Sequence, residues 1–145
     1  MFYKSAICTT ANKLKARGYT LSQAFVIAWA MAKGQETKVN GTTFGNRQKA
    51  IERLAMYTPE QVHFALTREN DNQYDKNAVA VMVSVSGSAP YKIGYVPAVT
   101  APLVAAILDN GTGIKAKLKA IVGGYSDGIG YGLRLNMSLA GGENA

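Results

Sequence analysis

Tyr74, Asp75 and Asn77 stand within Asn70 to Asn77, a stretch crowded with Asn and Asp. An aromatic ring beside a carboxylate is a combination suited to recognition. The ring can stack on any nucleic-acid base, worth roughly 1–3 kcal/mol per base. The carboxylate accepts a hydrogen bond from a hydroxyl and repels a phosphate, so it distinguishes a free strand end from a phosphorylated one. The same residues have plain structural uses. Asp75 and Asn77 can hold a turn through side-chain to backbone bonds, and Tyr74 can pack on the fold.

Catalytic chemistry finds little to work with. The only histidine, His63, falls in the middle of a predicted strand, and the only cysteine, Cys8, lies far from it near the N-terminus. Neither a Ser-His-Asp nor a Cys-His arrangement follows. One cysteine also excludes an intramolecular disulfide and a cysteine-rich zinc site. Glu69, Asp71 and Asp75 suggest calcium by their acidity, but their spacing lacks the glycine and the distal glutamate of an EF-hand loop. Gly123 to Gly128 is glycine-rich, yet no lysine follows as in a phosphate loop, and the segment reads as a hairpin turn. A carboxylate-rich nuclease site is the one enzymatic reading kept. The expectation is a protein that is not an enzyme and has neither cofactor nor metal.

The charge balance points outward. Sixteen Lys and Arg against nine Asp and Glu give a formal net charge of +7, which favours an acidic partner: nucleic acid first, a membrane surface second. Lys115, Lys117 and Lys119 concentrate that charge on one face of a predicted strand. They read either as a phosphate track or as a solvated, edge-protecting face. The longest apolar run, Ala24 to Ala32, falls short of the roughly 20 residues a spanning helix needs. It also makes a poor signal-peptide core, because the charged stretch before it is long and Trp29 is bulky. A reducing, cytoplasmic setting is expected.

The elements that must position these residues follow from periodicity. Lys4 to Lys33 reads as two helices. Ile7, Ala11 and Leu14 recur at helical spacing, and Gly18 stops the first. Thr20 opens the second, with Gln23 completing a capping box. Leu21, Ala24, Phe25, Ala28 and Ala32 should share its buried face, with Trp29 packing beside them. Strands are expected at Glu36 to Thr43, Val62 to Leu66, Ala78 to Val85, Tyr91 to Val96, Ile114 to Val122 and Ile129 to Leu139. Short helices are expected at Asn46 to Tyr57, with Ile51, Leu54 and Ala55 inward, and from Pro97 to about Asn110. In the last two strands Ile114, Ala116, Leu118, Ala120 and Val122 should face inward, as should Ile129, Tyr131, Leu133, Leu135, Met137 and Leu139. The fold class is therefore α+β: a small six-stranded, partly open β-barrel of OB or SH3-like type with two short helices. A helical segment over 1–36 precedes the barrel at 37–140, and a frayed tail at 141–145 follows it. Barrels of this size often bind oligonucleotides across one face.

The run Leu66-Thr67-Arg68-Glu69, the loop to Tyr74-Asp75-Lys76-Asn77-Ala78, and Lys92-Ile93-Gly94-Tyr95-Val96-Pro97 together resemble the HIRAN family. Val39 to Phe44 resembles that family's opening strand. The resemblance covers about residues 37 to 140 and implies recognition of the 3′ end of single-stranded DNA. In the family's best-known member terminal bases stack on aromatics and a carboxylate contacts the 3′-hydroxyl. By position, Tyr74 and Asp75 match directly. Phe44 takes the place of a stacking tyrosine, Asp71 that of a loop asparagine, and Tyr95 that of a histidine. The chain departs from that pattern at Thr43, Gly45 and Ala98, where an arginine, a second tyrosine and a lysine would stand. Arg47 or Lys92 would then supply the missing positive charge. Tyr95 also reads as a core or rim residue of its strand.

Two functions of different kind follow. The first is a nucleic-acid binding module for single-stranded DNA ends, using Phe44, Arg47, Asp71, Tyr74, Asp75, Lys92 and Tyr95. The alternative is a phage or mobile-element accessory protein that docks on a protein partner through the N-terminal helices and inhibits a host or viral enzyme. An exposed apolar face at Leu21, Phe25 and Trp29 would favour the alternative.

Overall fold

The computed structural model describes residues 3–43, 45–109, 111–123 and 130–139. Phe44, Ile129, residues 124–128 with their expected hairpin turn, and residues 141–145 with their expected frayed tail lie outside the described residues.

Helices α1 (Tyr3–Ala16) and α2 (Leu21–Lys33) form the expected hairpin. Gly18, at φ 107°, makes the turn between them. Thr20 caps α2: its hydroxyl accepts from the Gln23 N–H at 3.1 Å, and the Gln23 side chain accepts from the Thr20 N–H at 3.0 Å. The buried face of α2 is Ala24, Ala28, Met31 and Ala32. Leu21 and Trp29, expected to pack, are exposed instead. The small alanines bring α2 close to its neighbours along one narrow stripe, and Leu21 and Trp29 fall to the side of it. Trp29 carries the Lys33 ammonium over its ring at 5.8 Å.

The rest of the chain builds β1 (Gln35–Lys38), α3 (Arg47–Leu54), a 3₁₀ turn at Pro59–Gln61, β2 (Val62–Arg68), β3 (Val79–Val85), β4 (Tyr91–Tyr95), α4 (Ala101–Asp109), β5 (Ile114–Gly123) and β6 (Tyr131–Leu139). The six strands make one antiparallel sheet in the order β1-β6-β5-β2-β3-β4. The ends of that order nearly meet. Just beyond β1, Val39 still donates to Leu133 of β6, but Asn40 turns to β4, where its N–H and C=O both bond Tyr95 at 2.8 and 2.9 Å. That bridge closes one end of a partly open barrel, the fold class expected from six short strands. The first strand is accordingly shorter than expected, because the chain leaves β6 to make it.

Gly94 permits the crossing. A Cβ there would lie 2.4 Å from the Asn40 carbonyl oxygen and 2.5 Å from the Val39 Cγ1. Its neighbours Ile93 and Val96 are core residues. Helix α3 ends at Leu54, so Ile51 and Leu54 are buried while Ala55, expected inward, is exposed. Gln48 of α3 ties the start of β6 to the turn after β1. Its amide donates to the Thr42 and Tyr131 carbonyls, both at 2.9 Å, and its oxygen accepts from the Tyr131 N–H at 2.7 Å.

The pattern of β5 breaks at a bulge between Leu118 and Ala120. Up to Leu118 the lysines face out as expected. Past it the extra residue reverses the phase: Ile121 pairs with buried Leu133, while Ala120 pairs with exposed Arg134. Val122, expected inward, is 41% exposed. A β-bulge places two residues opposite one, so every later side chain changes face. One hydrophobic core spans the hairpin and the barrel, from Ile7 and Leu14 of α1 through Val81 and Ile93 to Leu135 and Met137.

Candidate nucleic-acid interface

The loop between β2 and β3 is held by Arg68, the last residue of β2. Its guanidinium donates to the carbonyls of Ala78 at 2.7 Å and Lys76 at 3.0 Å, and its Nε pairs with Asp109 at the end of α4 at 2.9 Å. Asp109 also faces Arg17, just past α1, at 4.0 Å. The loop's two ends are therefore pinned by one side chain that reaches through α4 to the N-terminal hairpin.

Within the loop, Asn72 sets the backbone. Its Oδ1 accepts from the N–H groups of Tyr74 at 2.9 Å and Asp75 at 3.0 Å, and its Nδ2 donates to Glu69 at 3.1 Å. Asp75 Oδ1 then accepts from the Asn77 N–H at 2.8 Å. Such short polar side chains satisfy turn backbone locally. Tyr74 is left 96% exposed. The turn-holding use of Asp75 is real, yet it occupies one carboxylate oxygen. Oδ2 has no hydrogen-bond partner among the described residues.

Tyr74 and Asp75 line a groove of about 320 Å³ with Asn40, Asn72, Ala78, Tyr95, Val96 and Ala98. Tyr95 forms its wall and is the centre of a small electrostatic cluster. Its hydroxyl donates to Glu69 Oε1 at 2.8 Å and accepts from the Lys92 ammonium at 3.0 Å. Lys92 is also ion-paired with Glu69. The Lys92 ammonium lies 5.1 Å from the Tyr95 ring centre and the Arg47 guanidinium 6.0 Å, within cation–π range. Arg47 further donates to the Gly41 carbonyl at 2.8 Å. The Lys92 hydrogen bond holds the Glu69 carboxyl below its ordinary pKa, helped by Tyr95 and Asn72 and opposed by burial. Glu69 in turn raises Lys92, with Tyr95 adding to it. The cluster is thus charged across the ordinary pH range.

Five of the sequence-predicted residues come together here: Arg47, Tyr74, Asp75, Lys92 and Tyr95. Phe44 lies outside the described residues. Asp71 is exposed on the loop and outside the groove. Lys115, Lys117 and Lys119 lie on β5, separated from β4 by β2 and β3. Lys119 is ion-paired with Glu36, while Lys115 and Lys117 line a different groove along the β2–β5 seam. Asn72 and Asn40 are positioning residues that residue type alone does not single out. The Asn-Asp density marked the loop, but nothing in it singled out Asn72, and the Asn40 bridge depends on barrel closure. Among the described residues no group of three or more His, Cys, Asp and Glu could hold a metal, and no helix is long and apolar enough to cross a membrane.

No curated protein matches the chain. Two solved structures are similar to it. A protein from Lactobacillus plantarum shares 19% identity at a TM-score of 0.47, covering 71% of this chain and 91% of that one. The HIRAN domain of human HLTF shares 21% identity at a TM-score of 0.44, covering 72% of this chain and 74% of that one. Residues 33–127 match the HIRAN domain family, a span that takes in β1 through β5 and every groove residue named above. The chain belongs to the HIRAN domain family.

Proposed function

We propose that this protein binds the 3′ end of single-stranded DNA without catalysing a reaction on it. The observation that carries the reading is the pairing of Tyr74 with Asp75: a fully presented ring beside a carboxylate with one oxygen unengaged, both on a pinned loop at the edge of a groove. In this reading Tyr74 stacks on a terminal base and Asp75 Oδ2 accepts from the 3′-hydroxyl. Phe44 supplies a second stacking surface. Lys92 and Arg47, held against Tyr95, attract the backbone phosphates. Lys115 and Lys117 add at most long-range attraction, and Asp71 shapes the loop. Pre-positioned groups avoid ordering costs on binding, which favours the use of a rigid loop for so small a target.

The test is fluorescence anisotropy of a labelled short strand carrying either a 3′-hydroxyl or a 3′-phosphate. The hydroxyl strand should bind more tightly, and Asp75→Ala should erase the difference while leaving salt-sensitive binding. Equal binding of both strands by the unaltered protein would refute end recognition.

The docking alternative keeps one supporting observation, the exposed Leu21 and Trp29 on α2. In that reading the hairpin, which precedes the family-matched residues except Lys33, offers an apolar surface to a protein. Pull-down by the intact chain that is lost in Trp29→Ser, with DNA binding unaffected, is the outcome it requires.

A further inference from the structure

We infer that the face of α3 opposite the core is a second, sequence-tolerant contact surface for single-stranded nucleic acid, continuing the strand whose end sits at Tyr74 and Asp75. This rests on the end-binding reading above. Lys49 and Arg53, one turn apart on α3, and Tyr57, three residues past its end, line one groove of about 580 Å³ together with Tyr91 of β4. Its floor is apolar, with Leu54 and Val83 among the residues below. Tyr57 and Tyr91 are 43% and 41% exposed. Lys49 and Arg53 have no ion-pair partner among the described residues, and no carboxylate lines the groove.

Two unpaired cations and two half-open rings on one floor match a ligand with alternating phosphates and flat bases. Cations hold phosphates at a salt-dependent gain, and aromatic faces stack any base. An acidic peptide would satisfy the charges but leave the rings without flat partners. The groove is built on the same two elements as the end site, α3 and β4, although the two have no lining residue in common. Arg47, the first residue of α3, is the one that leans over Tyr95, and β4 carries both Tyr91 and Tyr95. From Arg47 to Arg53 the helix rises about 9 Å, enough to carry contacts past the terminal nucleotide.

The experiment uses the full chain and oligothymidylates with free 3′-hydroxyls, lengthened stepwise from about two to about eight nucleotides, a span set by typical site sizes of small barrels. Affinity should rise with length beyond the terminal pair. In the double variant Lys49→Gln, Arg53→Gln the gain with length should vanish. The slope of log affinity against log salt should then flatten by about 1.4, or about 0.7 for each lost phosphate contact on a single strand. Tyr57→Ala should lower affinity for the longer strands only. The hydroxyl-over-phosphate preference should survive in all of these, because Asp75 is untouched. A length gain and salt slope unchanged in the double variant would overturn the inference, as would equal displacement of the strand by a polyglutamate peptide. Loss of end preference in the unaltered protein would instead count against the end site alone.

Discussion

Gly94 and Asn40 approach so closely that a methyl group at position 94 would sit 2.4 Å from the Asn40 carbonyl oxygen. Backbone has to move to admit it, and the backbone in question makes the bridge between Asn40, just beyond β1, and Tyr95 of β4. Gly94→Ala should therefore destabilise the protein by about 2 kcal/mol or more, in the range of overpacked cores. Urea denaturation measures this, and a loss below about 0.5 kcal/mol, typical of surface changes, would contradict it.

The Tyr95 cluster predicts a pH dependence with a definite sign. Glu69 has a lowered pKa in the folded state, principally through Lys92. Its contribution is present above the unfolded carboxylate value and disappears as pH falls through the folded one. Lys92 has a raised pKa, principally through Glu69. Its contribution is present below the unfolded lysine value and disappears as pH rises through the folded one. Stability should fall from about pH 7 to about pH 3, and the fall should be shallower in Glu69→Gln. Parallel curves for the two proteins would show that Glu69 is not involved.

Tyr95→Phe keeps the ring and removes the hydroxyl that joins Glu69 to Lys92. The expected cost is about 1 kcal/mol, the net worth of an ordinary hydrogen bond. In the same variant the Lys92 side chain should become more mobile, seen by NMR as averaging of its ε-methylene shifts.

Much of this fold is written in the periodicity, and the exceptions have physical causes. The Thr20 cap, the Gly18 turn and the buried Ile7, Ala11 and Leu14 all follow from local spacing. Sheet order and barrel closure do not, because they depend on pairs distant in sequence, such as Asn40 with Tyr95. The β5 bulge was illegible for another reason. Ala120, Ile121 and Val122 are all apolar, so a reversal of phase leaves no trace in a pattern of apolar and polar residues. In the site, Tyr74 and Asp75 stood out by residue type. The work of Asn72 did not, since one Asn among several in a loop looks like any other.

The bulge makes its own prediction. Val122→Lys should leave stability within about 0.5 kcal/mol, since the residue faces outward. Ile121→Lys should cost about 2 kcal/mol or more, because Ile121 packs against the core. The uninterrupted alternation would give the reverse order, so thermal denaturation of the two variants decides between them.

Asp109 links Arg68 to Arg17. Removing it in Asp109→Ala leaves Arg68 bonded to the loop carbonyls but without its brace. Hydrogen exchange at the amides of Glu69, bonded across the loop's neck to the Ala78 carbonyl, and of Ala78, bonded within the loop to the Asp75 carbonyl, should accelerate while core amides of β3 keep their rates. Uniform acceleration would point to global destabilisation instead.

The crossing at Gly94 has a bearing on how kinship and activity are related in this protein. Gly94, Ile93 and Val96 answer to the architecture, whereas Tyr74 answers to nothing inside the molecule, being almost wholly in water. A descendant that lost Tyr74 would fold unchanged and still carry the Ile-Gly-Tyr-Val-Pro signature. Within the stretches that carry the resemblance, the packed glycine and the exposed ring proposed to meet the ligand are thus under separate constraints. Relatives recognised by the first are free to have abandoned, altered or replaced the second.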